Sequence, residues 1–209
     1  MESAPDDAHI HLLKTLYPQG SEKQQIYSVT GRTVPMGGLP MDVGCVVENV
    51  ATAYAVWDAV VNGRPLTARA ITVTGDAVNT PTNWFAPVGT SFAELVAASG
   101  GARDNLAKLI AGGPMMGFAL PSLEVAMSKT SSGLLLFPRE CVRPYRSMAC
   151  INCGRCVEAC PLGLMPNELS QAAEADDIDE AENRHVMDCF ECGACAYVCP
   201  ARRPLVQHM

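Results

Sequence analysis

Residues 150–161 read CINCGRCVEACP, and residues 189–200 read CFECGACAYVCP. Both runs space their cysteines as C-x2-C-x2-C-x3-C and place a proline after the last. Eight thiols arranged this way constrain the fold more than any other feature of the chain. Two-residue spacers let three consecutive thiolates wrap one corner of an iron–sulfur cube, each on a different iron, with the loop's backbone N–H groups turned toward the sulfurs. Where two such runs share a domain, the fourth cysteine of each ligates the other run's cluster. On that rule Cys150, Cys153, Cys156 and Cys199 hold one 4Fe–4S cluster, and Cys189, Cys192, Cys195 and Cys160 hold the second. The exchange ties the two halves together and predicts a small domain that folds only with its metal bound. Gly154 and Gly193 stand where a side chain would crowd the cluster or strain the loop, and Pro161 and Pro200 stop each ligand helix.

Zinc and disulfides are the competing uses of clustered cysteines. A four-cysteine zinc site needs two separated C-x2-C pairs, which leaves the third and fourth cysteines of each run without a partner. Disulfides belong to oxidising compartments, but the opening MESAPDDAHIH has acids where a signal peptide has a basic start and an apolar stretch, so export by that route is not expected. No run of about 18 apolar residues marks a membrane span. A net charge of −7 argues against a general nucleic-acid binder and leaves a protein or small-molecule partner. Of the two remaining cysteines, Cys45 reads as core packing in an apolar strand, and Cys141 lies outside the ligand pattern.

The rest of the chain divides by pattern. Residues 12–66 alternate helical and extended character: SEKQQIYSVTGR is a helix capped by Ser21 and stopped by Gly31, CVVEN is a buried strand, and Val50, Tyr54, Trp57 and Val61 recur at the spacing of a buried helix ended by Asn62-Gly63. Residues 67–137 read as strand, strand, helix and two further short strands, a small mixed sheet with one helix on its face. Residues 138–149, PRECVRPYRSMA, read as a linker or surface arm, and the cysteine domain fills 150–205. The acidic stretch NELSQAAEADDIDEAENRHVMD (167–188) reads as the solvated side of one or two helices bridging the cysteine runs, with a docking face for a basic partner as the sharper alternative. His185 within it is a solvent-exposed residue or a neighbour of a cluster.

YPQGSEKQ (17–24), GGLPMDVGCVVENVAT (37–52), GGPMMG (112–117) and the two cysteine runs occur in the order found in the C subunit of the Rnf complex, and the chain resembles that family over nearly its whole length. The first two segments are also similar to the flavin-and-NADH-binding subunit of respiratory complex I, and residues 67–125 resemble the β-grasp (SLBB) module that follows the flavin domain in both. The resemblance implies an α+β chain with three parts: a remnant of an α/β flavin-binding domain, the β-grasp module, and an α-helical dicluster ferredoxin-like domain. It implies a peripheral electron-transfer subunit of a membrane-bound, ion-translocating ferredoxin–NAD oxidoreductase, with FMN and NAD(H) beside the two clusters. Its partners would be the other subunits of the complex and, indirectly, ferredoxin, on the cytoplasmic side of the inner membrane.

Carried over residue by residue, the resemblance puts Tyr17, Gly20, Glu22 and Lys23 at the flavin and nicotinamide, and ENVAT puts Glu48, Asn49 and Thr52 near the flavin. Gly20 lets backbone approach a ligand, and a helix opening at Ser21-Glu22-Lys23 favours an anion at its first turn. Glu48 and Ala51 depart from the complex I pattern, which has asparagine and glutamate there. The Gly-rich nucleotide loop of the family's flavin domain has no counterpart, since the GG pairs at 37, 100 and 112 read as turns. The chain therefore reads as a C-terminal portion with an intact pair of clusters and half a flavin pocket, not competent alone with NADH. Two other readings share these features. One is a corrin reductase with a similar YPQG region, β-grasp module and cluster motifs; the other is a plain electron carrier whose N-terminal part is scaffold.

Overall fold

The computed structural model describes residues 8–142 and 146–209. The N-terminal part holds α1 (Glu22–Thr30), a 3-10 turn (Pro40–Val43) and α2 (Val50–Asn62). Ser21 precedes α1 in extended conformation but makes no side-chain cap, and Gly31, at φ 71°, closes the helix with its N–H on the Tyr27 carbonyl. α2 is capped by Asn49, whose side chain accepts from the Ala51 N–H, and Gly63 closes it.

Two expectations fail here. CVVEN forms no strand, and Val46 is exposed. α2 is not a buried helix: no residue of it is buried, and Val50 and Val60 are about four-fifths exposed. Apolar spacing records that a face wants a partner, not that the partner is present. With the strand gone, Cys45 is not a core residue either. Its half-buried thiol lies 3.7 Å from the Val43 carbonyl and 3.9 Å from the Arg32 guanidinium.

The middle of the chain builds a five-stranded sheet. β1 (Ala68–Thr74), β2 (Thr82–Pro87), β3 (Leu106–Ala111), β4 (Phe118–Leu120) and β5 (Gly133–Pro138) run in the order β2-β1-β5-β3-β4. β1 and β5 pair in parallel, Val73 opposite Leu134, while every other pair is antiparallel. α3 (Phe92–Ala98) starts in a capping box in which Ser91 and Glu94 satisfy each other's backbone N–H. Phe92, Leu95 and Val96 of this helix pack on Ile71, Val73, Leu134 and Leu136 to form the largest core of the molecule. Trp84 donates to the hydroxyl of the fully buried Ser99 at 2.8 Å, so the indole can pack at the core edge without stranding its N–H. β4 escapes the sequence reading because three edge residues carry no period.

β5 runs to Pro138, and Arg139–Cys141 turn in a 3-10 helix. Of the stretch read as a linker, 143–145 lie outside the described residues; beyond them Met148 N–H donates to the Ala201 carbonyl at 2.9 Å. The cysteine part is helical: α4 (Arg155–Glu158), α5 (Pro166–Glu174), α6 (Ile178–Asn183), α7 (Ala194–Val198) and α8 (Leu205–His208). α4 packs on α7, its counterpart in the other cysteine run, and α5 packs on α8. α5 and α6 occupy the acidic stretch. Leu169 and Ser170 face inward, while Glu168 and Glu180 pair with Arg184 outside. His185 is exposed.

Candidate iron–sulfur site and the cavity beside it

The two cysteine runs fold alike. In each, the second residue after the first cysteine takes a left-handed conformation, Asn152 at φ 51° and Glu191 at φ 56°, and sends its N–H to that cysteine's sulfur at 3.5 and 3.4 Å. A left-handed glycine follows two residues later, Gly154 at φ 77° and Gly193 at φ 81°, and the short helix α4 or α7 starts there. These turns curl each loop around its sulfurs and aim backbone donors at them.

Beneath the loops lie two small cavities. Cys150, Cys153, Cys156 and Cys199 line one, and Cys160, Cys189, Cys192 and Cys195 line the other. Each gathers three thiols from one run and the fourth from the other. Leu205 closes the wall of the first cavity and Val206 that of the second, so one turn of α8 serves both. Among the described residues, no group of three or more His, Cys, Asp or Glu forms a single-ion metal site. Cys141 belongs to neither set and is exposed.

Burial makes these thiols hard to ionise. It pushes Cys156 and Cys189 up and carries Cys195 to about 12, with the neighbouring thiols adding to the rise for all three. A buried sulfur gives up its proton when a cation replaces it, which is what iron supplies to a thiolate ligand. Four thiols around an apolar cavity, with backbone N–H groups on the sulfurs, fit a 4Fe–4S cube.

A larger, open cavity of about 490 Å³ adjoins the second set. Tyr17, Gly20, Glu22 and Lys23 line it, together with Pro18, Ser21, Met116 and Phe190. Phe190 also lines the second cysteine cavity and is the wall between the two. The Tyr17 hydroxyl donates to the carbonyl of Cys192, and Gln24 reaches the Pro161 carbonyl at 3.5 Å. Burial first, and then the Cys192 sulfur, raise the Tyr17 hydroxyl above its ordinary range. Two features of the wall fit a polar ligand. The Ser21 hydroxyl is buried without a hydrogen bond, and a Cβ at Gly20 would meet no atom within 4 Å.

Glu48, Asn49 and Thr52 do not join this cavity. They stand at the start of α2, where Glu48 and Asn49 are exposed and Asn49 does the ordinary work of a helix cap. Met116 and Phe190 are cavity residues that sequence reasoning missed. Each is an apolar residue in a motif read for another purpose, and only the packing of loop on loop brings them to one wall.

Family profiles match three consecutive stretches: the Nuo51 FMN-binding domain over residues 1–58, the SLBB domain over 70–119 and a 4Fe-4S dicluster domain over 145–200. Among curated proteins, the chain is 48% identical over 198 residues to the C subunit of the proton-translocating ferredoxin:NAD(+) oxidoreductase complex of Clostridium ljungdahlii, covering 94% of this chain and 43% of the relative. It is 47% identical to the C subunit of the ion-translocating oxidoreductase complex of Pseudomonas aeruginosa, over 94% of this chain and 26% of the relative. It is 42% identical to the C subunit of the Na(+)-translocating ferredoxin:NAD(+) oxidoreductase complex of Acetobacterium woodii, over 94% of this chain and 44% of the relative. The chain thus spans less than half the length of these relatives. Along the length it shares with them, it is similar to the C subunits of ion-translocating oxidoreductase complexes.

Proposed function

We propose that this chain is the electron-relay portion of such a C subunit. Cys150, Cys153, Cys156 and Cys199 hold one 4Fe–4S cluster, and Cys160, Cys189, Cys192 and Cys195 hold the other. The observation that carries the proposal is the exchange of the fourth cysteine between the two cavities, the arrangement of a two-cluster ferredoxin. Such clusters supply one-electron storage, and a flavin supplies the conversion between that and the two-electron hydride chemistry of NAD(H). The chain's own residues do the rest. The loops present thiolates and N–H groups, Phe190 separates the second set from the open cavity by one aromatic ring, and Tyr17 fixes the Cys192 carbonyl.

Tyr17, Gly20, Glu22 and Lys23 form the loading side in this proposal. Lys23 offers a cation to a phosphate, and the Ser21 hydroxyl offers an unused polar partner. The partners are the membrane subunits of the complex, with ferredoxin reached indirectly and the chain held peripherally on the cytoplasmic face. Among the described residues, no helix is long and apolar enough to cross a membrane. A second reading, a carrier without flavin chemistry of its own, draws support from Glu48, Asn49 and Thr52 standing outside the cavity. The test is anaerobic: purify the chain, incubate it with FMN, remove free flavin, add NADH and follow absorbance near roughly 400 nm, where thiolate-to-iron charge transfer lies. Bleaching that requires FMN supports the flavin site. Bleaching by dithionite alone supports the carrier. Absence of any iron–sulfur absorbance defeats both.

A further inference from the structure

The two cysteine sets are related by the repeat, but their charges are not. Asn152 follows Cys150 by two residues in the first run, and Glu191 holds the same place after Cys189 in the second. Both have the same left-handed backbone and both send an N–H to the sulfur, so the amide is traded for a carboxylate at matched geometry. Glu191 is exposed, so water screens its carboxylate, and its influence rests on standing two residues from Cys189 with its own N–H on that sulfur.

The tails after the fourth cysteines repeat the contrast with opposite sign. Each tail crosses to the other run's cavity. Leu164, four residues after Cys160, lines the second cavity, while Arg203, four residues after Cys199, lines the first. Both are buried, at 8% and 6% exposure. Arg203 is held by Ser170, whose hydroxyl accepts from Nη2 at 2.8 Å, and by the carboxylate of Glu174. Glu174 is half exposed, so water screens its charge more than that of the buried guanidinium. On α4, Arg155 and Glu158 carry opposite signs three residues apart and offset each other, where α7 has the neutral Ala194 and Tyr197. The His208 Nδ1 lies 2.8 Å from the same Ser170 hydroxyl.

Reduction adds one negative charge to a cluster. A buried cation favours that change and a nearby carboxylate opposes it. We infer that Arg203 and Glu191 are positioning residues for charge, which make the cluster of the first set the easier to reduce and give the pair a built-in slope away from the open cavity. This rests on the reading that both sets hold 4Fe–4S clusters. An electron crossing the Phe190 wall meets the harder-to-reduce site first and settles on the other, beside the exposed Ile151 and Cys153.

The test is an EPR-monitored redox titration of the anaerobically reconstituted chain with dithionite and mediators, with neither NADH nor flavin present. Cys153→Ser identifies which signal belongs to the first set. One electron per chain is expected to favour the first set at least tenfold, which for a one-electron couple is about 59 mV. Glu191→Asn keeps the left-handed turn, which asparagine tolerates, and is expected to cut that bias several-fold by raising the second midpoint alone. Arg203→Met should lower the first midpoint alone, while Arg203→Lys keeps the bias. Where Arg203→Met fails to hold clusters, Glu191→Asn decides. Equal midpoints in the unmodified chain, a bias toward the second set, or a second midpoint that ignores Glu191→Asn each overturn the inference. Fewer than two clusters per chain overturns instead the reading on which it rests.

Discussion

Gly154 and Gly193 occupy the same place in the two cysteine runs, and exchanging each for alanine separates two costs that usually arrive together. Both glycines are left-handed, at φ 77° and 81°, where a residue with a Cβ costs roughly 1–2 kcal/mol. At Gly154 no protein atom adds to that cost, because a Cβ there would meet none within 4 Å. At Gly193 the Cβ would lie 3.0 Å from the Met115 carbonyl oxygen, a backbone atom that moves only with the GGPMMG loop of the β-grasp module. Overpacking of that kind adds about 1–3 kcal/mol. Gly193→Ala is therefore expected to be the worse by at least about 1 kcal/mol, about fivefold in a rate that depends on breaking the contact. The assay is the half-life of the charge-transfer absorbance of the reconstituted chain in a fixed concentration of guanidinium under argon. Gly154→Ala should shorten it several-fold and Gly193→Ala by at least about a further fivefold, with the second set's EPR signal lost first in the latter. Equal half-lives, or a more labile Gly154→Ala, would refute the claim that the β-grasp loop braces the second cysteine run.

Leu134→Ala empties the centre of the β-grasp core, where Leu134 is fully buried, and should cost about 2–5 kcal/mol, read from the denaturation midpoint of tryptophan fluorescence in a Trp57→Phe background, which leaves Trp84 as the reporter. Glu94 titrates below the ordinary carboxylate range because first the Ser91 N–H and then the Ser91 hydroxyl favour its anion. Its folded value lies below its unfolded one, so its stabilising contribution is present above the unfolded value and fades as pH falls through the folded one. NMR titration of the Glu94 carboxyl should show this depressed midpoint, and Ser91→Ala should move it only partway back, since the N–H remains. Asn49→Ala should cost about 0.5–2 kcal/mol in the stability of α2 and leave FMN retention unchanged, the expected result for a cap and the opposite of that for a flavin ligand. Tyr17→Phe removes the donor to the Cys192 carbonyl. It should raise amide exchange over residues 17–24, by about 0.5–1.5 kcal/mol of local stability, while two clusters still assemble.

The cysteine runs are legible in the sequence because cluster ligation fixes spacing. Four thiols around a cube leave little choice of connecting length, and the left-handed turn at Gly154 and Gly193 follows from the tightness of the loop. Strands β1, β2, β3 and β5 and helix α3 are legible for the same kind of reason, since each buries a regular face in one core. What is not legible is anything that depends on which surface meets which. α2 has the pattern of a buried helix and lies exposed, because the pattern belongs to the helix and the burial to its partner. Arg203 looks like part of a polar tail until its guanidinium is found buried on Ser170 beside the first cysteine set. Met116 and Phe190 are adjacent to glycine or cysteine in motifs whose small and sulfur-bearing residues draw the attention.

The open cavity belongs to no single part of the chain. Its wall takes Tyr17, Gly20, Glu22 and Lys23 from the N-terminal segment, Met116 from the β-grasp module and Phe190 from the second cysteine run. Three contacts hold those parts together there: the Tyr17 hydroxyl on the Cys192 carbonyl, Gln24 on the Pro161 carbonyl, and Gly193 against Met115. Two of the three end on the second cysteine run, and the third ends on the proline after Cys160, the residue that crosses to the second set. Each of these three braces therefore passes through the same cysteine set. Because a thiol as buried as Cys195 becomes a thiolate only when iron takes the place of its proton, assembling that set and shaping the cavity are coupled steps. A chain stripped of iron should lose the cavity along with its clusters, while the β-grasp core, which shares no buried residue with the cysteine core, stays folded. Far-ultraviolet circular dichroism and the fluorescence of Trp84 in a Trp57→Phe background, followed during chelation, would show the sheet surviving after the 17–24 segment has become open to protease. Joint loss of both signals would mean that the sheet depends on the cysteine domain, contrary to the separateness of the two cores.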